Sequence, residues 1–99
     1  MHTYYSIEYG RIYAFTEAHR DAISCMDWNK GVLATGSWDA TVKIWQCNEI
    51  NLVNLDHDLL AQLEHDTQVS ALALCPDNSQ MVSGTRDGRV VLWCLESYR

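Results

Sequence analysis

The sequence has few basic side chains and no long apolar run. Its 99 residues include 7 Lys and Arg against 13 Asp and Glu, a formal charge of −6 at pH 7. A cationic surface for phosphate backbones is therefore missing, and we expect no nucleic-acid partner. No stretch approaches the roughly 20 apolar residues of a membrane span, and the N-terminus lacks the basic and apolar segments of a secretory signal. We expect no direct insertion into a membrane.

The sequence also has no cysteine pair at short spacing. Its four cysteines are scattered, at positions 25, 47, 75 and 94, and none forms a C-x-x-C motif. Zinc sites need ligands close together in sequence, whereas candidate pairs such as Cys47 with His57 and His57 with His65 are too far apart for a local site. We therefore expect no metal and no cofactor. Scattered cysteines are typical of a reduced, cytoplasmic protein.

A repeated motif organises most of the chain. GSWDATVKIW at 36–45 and GTRDGRVVLW at 84–93 share Gly, Asp, Val and Trp at one spacing, 48 residues apart. Such a period indicates a repeat architecture. Each unit alternates strands with turn residues, and a further strand precedes each of His19 and His65. The predicted strands are 11–15, 22–28, 32–37 and 41–45 in the first unit, and 59–63, 69–74, 81–85 and 90–93 in the second.

Four strands per period with short turns predict an all-β fold with one propeller blade per unit. The first unit is longer than the second because of the polar segment CNEINLVNLDHD at 47–58. We interpret this segment as a long loop before the fourth strand. Its acidic residues Glu49, Asp56 and Asp58 offer a second docking loop, although a solvated connection is the simpler interpretation.

In these motifs the sequence resembles the WD40 repeat family. AH (18–19) and EH (64–65) stand where the family usually has GH, and TGSWD (35–39) corresponds to SGTRD (83–87). TVKIWQ (41–46) and VVLWC (90–94) stand where repeats often end in WD, so the namesake dipeptide is lost in both. The resemblance implies an incomplete β-propeller of about two four-stranded blades plus the end of a preceding blade. The implied divisions are 1–17 for that preceding blade, 18–63 for one repeat and 64–99 for a second, truncated before its last strand.

The resemblance also implies a structural hydrogen-bond network in each unit. In the family, the turn aspartate accepts a hydrogen bond from the histidine, which contacts a second-strand hydroxyl, which in turn reaches the indole N–H of a third-strand tryptophan. Such a buried chain stabilises a blade only when each member is paired, since an orphaned buried polar group costs about 1–3 kcal/mol. The two implied sets are His19, Thr35, Asp39 and Trp45, and His65, Ser83, Asp87 and Trp93.

Two repeats do not close a propeller, which typically has 4–8 blades. Open ends would leave apolar faces and unpaired strand edges. We therefore expect a segment of a larger propeller, with the rest of the ring in the same parent chain. Self-assembly of several copies into a ring is the alternative. A looser resemblance of GSWDATVKIW and DLLAQLEHD (58–66) to the C-terminal propeller of BEACH–WD40 proteins implies a large cytoplasmic adaptor working at membranes and receptor tails.

We interpret the chain as a protein-docking module without chemistry of its own. By resemblance, its partner-facing side chains lie three and five residues after each histidine and one before each turn aspartate. Trp and Arg are enriched in binding hot spots, which favours the two turn residues, although Trp38 packing over a neighbouring loop is the simpler interpretation. A purely architectural role, with partners bound elsewhere in the ring, is the second interpretation. The candidate partner-binding residues are Ala22, Ser24, Trp38, Gln68, Ser70 and Arg86.

A hydrolase or metal enzyme is the remote alternative. Ser or Thr, His and Asp are the residue types of a catalytic triad. However, the set occurs twice at the repeat spacing and ends on a tryptophan, as a structural network would, and the sequence has no G-x-S-x-G motif or phosphate-binding loop. We therefore expect no enzymatic activity.

Overall fold

The part of the chain that the structure describes contains seven antiparallel strands. The computed structural model describes residues 14–51 and 54–96, with the side chains of 14–47 and 57–96. The predicted all-β fold is confirmed. The strands are β1 (Ile23–Asn29), β2 (Val32–Ser37), β3 (Thr41–Asn51), β4 (Asn54–Glu64), β5 (Val69–Leu74), β6 (Gln80–Thr85) and β7 (Val90–Cys94).

The strands form two sheets in sequence order. The first sheet has the order β1-β2-β3-β4 and the second, within the described residues, β5-β6-β7. A two-residue turn joins β1 to β2, and both Lys30 (φ +48°) and Gly31 (φ +79°) adopt the positive φ that such tight hairpins demand. Most of the strand predicted at 11–15 lies outside the described residues, and its last two residues are in no strand.

The segment 47–58 is a hairpin rather than a long loop. The β3–β4 pairing continues past Trp45 through Cys47 opposite His57 and Asn48 opposite Asp56 to Asn51 opposite Asn54. The loop prediction is therefore wrong. This polar segment can form strands because the hydrogen bonds of a β-ladder join backbone groups and do not require alternating apolar side chains. Beyond Gln46, which pairs with Val32, the hairpin extends past the edge of β2.

The core lies between the two sheets. Strands β1 and β2 of the first sheet pack against β5 of the second. Gly36 permits this close approach, because a Cβ there would lie 2.9 Å from Val69 Cγ1 and 3.1 Å from Leu72 Cδ2. The buried residues of this core are Val32, Ala34, Val42, Ile44, Val69, Met81 and Leu95.

Polar groups also join the two sheets. The Leu74 amide donates to Asp27 Oδ2 at 2.7 Å. The Asn29 side-chain amide donates to Pro76 O at 2.8 Å and to Asn78 Oδ1 at 2.9 Å, and the Asn78 amide returns a bond of 2.8 Å to Asn29 O. The sheets are therefore held in register by directional bonds as well as by apolar contact. None of the described residues forms a helix long and apolar enough to span a bilayer.

Candidate functional site

The first predicted network forms a continuous chain of hydrogen bonds. His19 precedes β1, Asp39 lies in the β2–β3 turn, Thr35 is on β2 and Trp45 on β3. The His19 Nδ1–H donates to Asp39 Oδ2 (3.0 Å), and the Thr35 hydroxyl donates to His19 Nε2 (2.7 Å). The Trp45 indole N–H donates to the same hydroxyl oxygen at 3.0 Å. These roles follow because a carboxylate only accepts and an indole only donates.

Asp39 accepts from more groups than the sequence indicated. The Thr41 hydroxyl donates to Oδ1 at 2.6 Å and the Thr41 amide to the same atom at 2.9 Å, while the Arg20 amide donates to Oδ2 at 3.1 Å. Burial alone would raise the pKa of this carboxyl, but these bonds, led by the Thr41 hydroxyl, hold its pKa well below the usual value. Thr41 is thus a fifth member of the network, which sequence reasoning missed although it follows the turn directly.

The second network is only partly formed. The Ser83 hydroxyl donates to His65 Nε2 at 2.7 Å and accepts from the Trp93 indole at 2.9 Å. His65 Nδ1–H, however, donates to the backbone oxygen of Leu63 at 3.1 Å. The predicted bond from His65 to Asp87 is therefore wrong. A backbone carbonyl takes the place of the carboxylate.

Asp87 has other partners because Arg89 stands where the first repeat has Thr41. The Thr85 hydroxyl donates to Asp87 Oδ1 at 2.5 Å, and Arg89 lies 3.8 Å from Asp87 Oδ2. The Thr85 bond, followed by the charge of Arg89 and opposed by burial, lowers the pKa of Asp87. Arg89 also pairs with Asp66. These groups lie toward solvent, so Asp87 turns away from the histidine.

Burial of the hydroxyls argues against the hydrolase alternative. Thr35 is 2% exposed and Ser83 1%, so neither oxygen is placed to attack a substrate. Among the described residues, no group of three or more His, Cys, Asp or Glu side chains is arranged to hold a metal ion.

The candidate docking residues gather around the two tight turns. The Trp38 amide donates to Ala22 O at 3.0 Å, and the Arg86 amide donates to Gln68 O at 2.9 Å, so two of the three candidates in each blade are joined by a backbone hydrogen bond. The Trp38 side chain is 51% exposed. Arg86 is exposed, and its guanidinium donates to Gln68 Oε1 at 3.2 Å.

The two candidate serines lie on strands β1 and β5, and Ser24 Oγ is 3.3 Å from the backbone oxygen of Gly36. The Ser24 hydroxyl donates to Val69 O at 2.5 Å, across the contact between the sheets. Ser24 is nevertheless exposed, so its role as a partner-binding residue stays a prediction. Ser70, at the equivalent position of the second sheet, is exposed.

Two antiparallel sheets packed face to face, each with a histidine–hydroxyl–indole chain, are consecutive propeller blades. The family model for the WD domain, G-beta repeat (WD40), matches residues 10–46 and 57–94. The chain belongs to the WD40 repeat family.

Individual proteins of known sequence or structure match the same region. The small ribosomal subunit protein RACK1y of Oryza sativa subsp. japonica is 38% identical over 84 residues, which is 80% of this chain but only 23% of that protein. The computationally designed Ika4 protein superposes with a TM-score of 0.69 at 25% identity, over 93% of this chain and 52% of that one. The C-terminal WD40 domain of Sif2 gives 0.64 at 26%, over 75% and 22%. The chain thus spans about a quarter of the curated relative's length.

Proposed function

We propose that this chain is part of a protein-interaction scaffold and that its tight turns, at 36–41 and 84–89, dock a protein partner. The single observation that supports the proposal is the position of Trp38. A large apolar side chain stands half exposed on a turn whose backbone is held by neighbouring segments. Trp and Arg are the side chains most often found as interface anchors, and Arg86 occupies the equivalent position of the next blade.

The rigidity of the turn favours docking over chance exposure. The Trp38 amide is bonded to Ala22 O, the Ala40 amide to Ser37 O at 3.2 Å, and the Asp39 amide to the Ser37 hydroxyl at 2.9 Å. Because the turn is already ordered, a partner that covers the indole has little backbone entropy to overcome. The indole body supplies apolar area, and its N–H supplies a directional donor.

The decisive experiment uses the full-length protein. Polypeptides bound to it are identified by photo-cross-linking from position 38, and each purified polypeptide is titrated by calorimetry against variants. We expect Trp38→Ala to weaken binding by about 2 kcal/mol or more, roughly 30-fold in Kd, and Trp38→Ala with Arg86→Ala to weaken it further. Leu59→Ala is the control, since Leu59 is exposed to a similar degree, 48%, on β4.

Unchanged affinity in the folded double variant would favour the architectural alternative. In that case these blades complete a ring whose partners bind elsewhere. Loss of binding in Leu59→Ala to the same extent would also contradict a docking site at the turns.

A narrower hypothesis places the chain in the C-terminal propeller of a BEACH–WD40 adaptor, similar to the factor associated with neutral sphingomyelinase activation, FAN. It depends on the motifs at 36–45 and 58–66 alone, and it would put the scaffold in the cytoplasm at membranes and receptor tails. The free thiols of Cys25, Cys47 and Cys75 fit a reducing compartment. Sequencing the full-length transcript tests it: a BEACH domain upstream is expected, and a different upstream domain would contradict it.

A further inference from the structure

Equivalent residues of the two sheets differ sharply in burial. On the first sheet, Val42 and Ile44 point toward the second sheet and are 0% exposed. Their equivalents 48 residues later, Val90 and Leu92, are each 72% exposed. The cross-strand partners of Val90 and Leu92 on β6 are Gly84 and Val82. We call this apolar surface, formed by Val82, Gly84, Val90 and Leu92, the tail face.

The opposite end of the molecule presents a second apolar surface. On β1, Met26 is 63% exposed and Trp28 58%. Their equivalents 46 residues later, Leu72 and Leu74 on β5, are partly buried and pack against the core between the sheets. We call the surface formed by Met26 and Trp28 the head face.

The chain therefore contains one complete contact between two sheets. It also has two uncovered faces that correspond to the two halves of such a contact. Inside the molecule, the Leu72 and Leu74 side of the second sheet covers the Val42 and Ile44 side of the first. The head face corresponds to the covering half of that contact, and the tail face corresponds to the covered half. Two exposed apolar faces that match the two halves of an existing interface are unlike the scattered single exposures of ordinary surfaces.

The two glycines of the repeated motif show the same relationship. A Cβ at Gly36 would lie 2.9 Å from Val69 Cγ1 and 3.1 Å from Leu72 Cδ2, both on β5, so the neighbouring sheet fills the space above it. At Gly84, the nearest atom to an added Cβ is Arg89 O at 3.9 Å. Among the described residues, no neighbouring sheet lies above Gly84.

We propose that a second copy of this chain places its head face on the tail face of the first. The contact repeats the internal one between β1, β2 and β5, and because different surfaces meet, it is head-to-tail and continues to a closed ring or an open chain. Ser70 occupies the position equivalent to Ser24, whose hydroxyl bonds to the second sheet inside the molecule. However, Ala73 and Cys75 stand in place of Asp27 and Asn29, so the other polar bonds of the internal contact have no counterpart. The contact is therefore chiefly apolar, and salt strengthens it by screening the charge of −6 on each copy.

Two single variants and their mixture test the proposal on the purified 99-residue chain. Sedimentation velocity and native mass spectrometry should show species larger than the 11.3 kDa chain that grow with concentration and with salt. Met26→Asp removes only the head face and Leu92→Asp only the tail face, and each alone should weaken association by about tenfold or more, since a buried unpaired charge is costly. Their equimolar mixture still has one intact face of each kind and should stop at a heterodimer.

Controls separate the contact from changes in charge and folding. Lys30→Gln, like the two aspartate variants, makes the net charge more negative by one, but it does so in the β1–β2 turn. It should associate like the unsubstituted chain. Gly84→Ala should keep its fold by circular dichroism and associate at least about tenfold more weakly, since an added methyl group would overpack the contact. Trp38 and Arg86 lie in the turns rather than on either face, so this test is independent of partner docking.

Three results would overturn the proposal. If the unsubstituted 99-residue chain is monomeric at all concentrations, something other than a second copy covers these faces. Association of Met26→Asp alone or Leu92→Asp alone that is as strong as that of the unsubstituted chain would mean that the contact does not join these two faces. A mixture that grows beyond the dimer would mean that association is unspecific.

Discussion

Thr41 and Arg89 occupy equivalent positions directly after the two tight turns, and they give the two aspartates opposite environments. Thr41 donates to Asp39 and lies 3.1 Å from His19 Nδ1, so the carboxylate stays against the histidine. Arg89 is long and charged, and it pairs with Asp87 and Asp66 near solvent. One turn aspartate is therefore a buried acceptor and the other a surface ion. The side-chain exposure of Asp39 is 6%, against 46% for Asp87.

At this scale we expect Asp39→Ala to destabilise the chain and Asp87→Ala to do so far less. Loss of Asp39 leaves buried donors of His19 and Thr41 without their acceptor, which costs about 1–3 kcal/mol at neutral pH. Urea unfolding, followed by tryptophan fluorescence on dilute monomeric chains, measures both variants. Equal losses would contradict the different environments of the two carboxylates.

The lowered pKa of Asp39 also predicts a pH dependence. Because its folded pKa lies below the unfolded value near 3.9, its contribution to stability is present above that value and is lost as the pH falls through it toward the folded pKa. The free energy of unfolding should therefore fall on acidification below about pH 4, and less steeply in Asp39→Ala. The same slope in parent and variant would show that other carboxylates account for the acid sensitivity.

At the level of the strands, equivalent strands of the two sheets differ in whether another sheet packs over them. Strands β2 and β6 carry Gly36 and Gly84 at equivalent places, but only Gly36 lies beneath a second sheet. The turns that follow are also equivalent, since Ala40 (φ +72°) and Gly88 (φ +90°) both adopt positive φ. Local conformation is thus repeated faithfully, whereas packing is not.

The glycine pair gives a prediction about packing. Gly36→Ala should destabilise the monomer by about 1–3 kcal/mol, because the added methyl group meets Cys25 and Val69. Gly84→Ala should change monomer stability by less than about 0.5 kcal/mol, as exposed substitutions usually do. Urea denaturation at low protein concentration compares the two. A large loss in Gly84→Ala would mean that the space above β6 is already filled in the monomer.

In the molecule as a whole, the contact between the sheets combines apolar packing with a small polar cluster at one end. Asn29 and Asn78 exchange bonds, and Asn29 also donates to Cys75 O at 3.2 Å and to Pro76 O. Asn78 is buried. These amides bring the β1–β2 hairpin against the turn before β6, so unfolding of one sheet is coupled to that of the other.

At this largest scale we expect Asn29→Ala to loosen the coupling between the sheets. Removal of its amide leaves Asn78 Oδ1 and Pro76 O without their donor, a loss of about 1–3 kcal/mol. The urea transition should also broaden, because the sheets then unfold less cooperatively. Ser70→Ala is the control and should leave the transition unchanged. A sharp, unshifted transition in Asn29→Ala would show that apolar packing alone joins the sheets.

Much of the fold could be predicted because its signals are local. The turns at Lys30 and Gly31 and at Asp77 and Asn78 bound strands within one or two residues of their predicted positions. The histidine, hydroxyl and indole positions could be predicted from the resemblance to the WD40 repeat family. The partner of Asp87 could not, since Arg89, Thr85 and His65 compete for it in space. The hairpin at 47–58 could not, since backbone pairing leaves no signature in polar side chains.

The sequence by itself determined the all-β class and the repeat, because alternation, turn conformation and spacing depend on near neighbours along the chain. The family resemblance added the histidine, hydroxyl and indole of each network. Only the tertiary structure decided that the Ser24 hydroxyl bonds to the neighbouring sheet, that Asp87 turns outward, and that Val90 and Leu92 are exposed while Val42 and Ile44 are buried. The physical reason is that burial depends on whether another sheet lies above a residue, and equivalent residues in a repeat can have the same local sequence pattern with different neighbours in space.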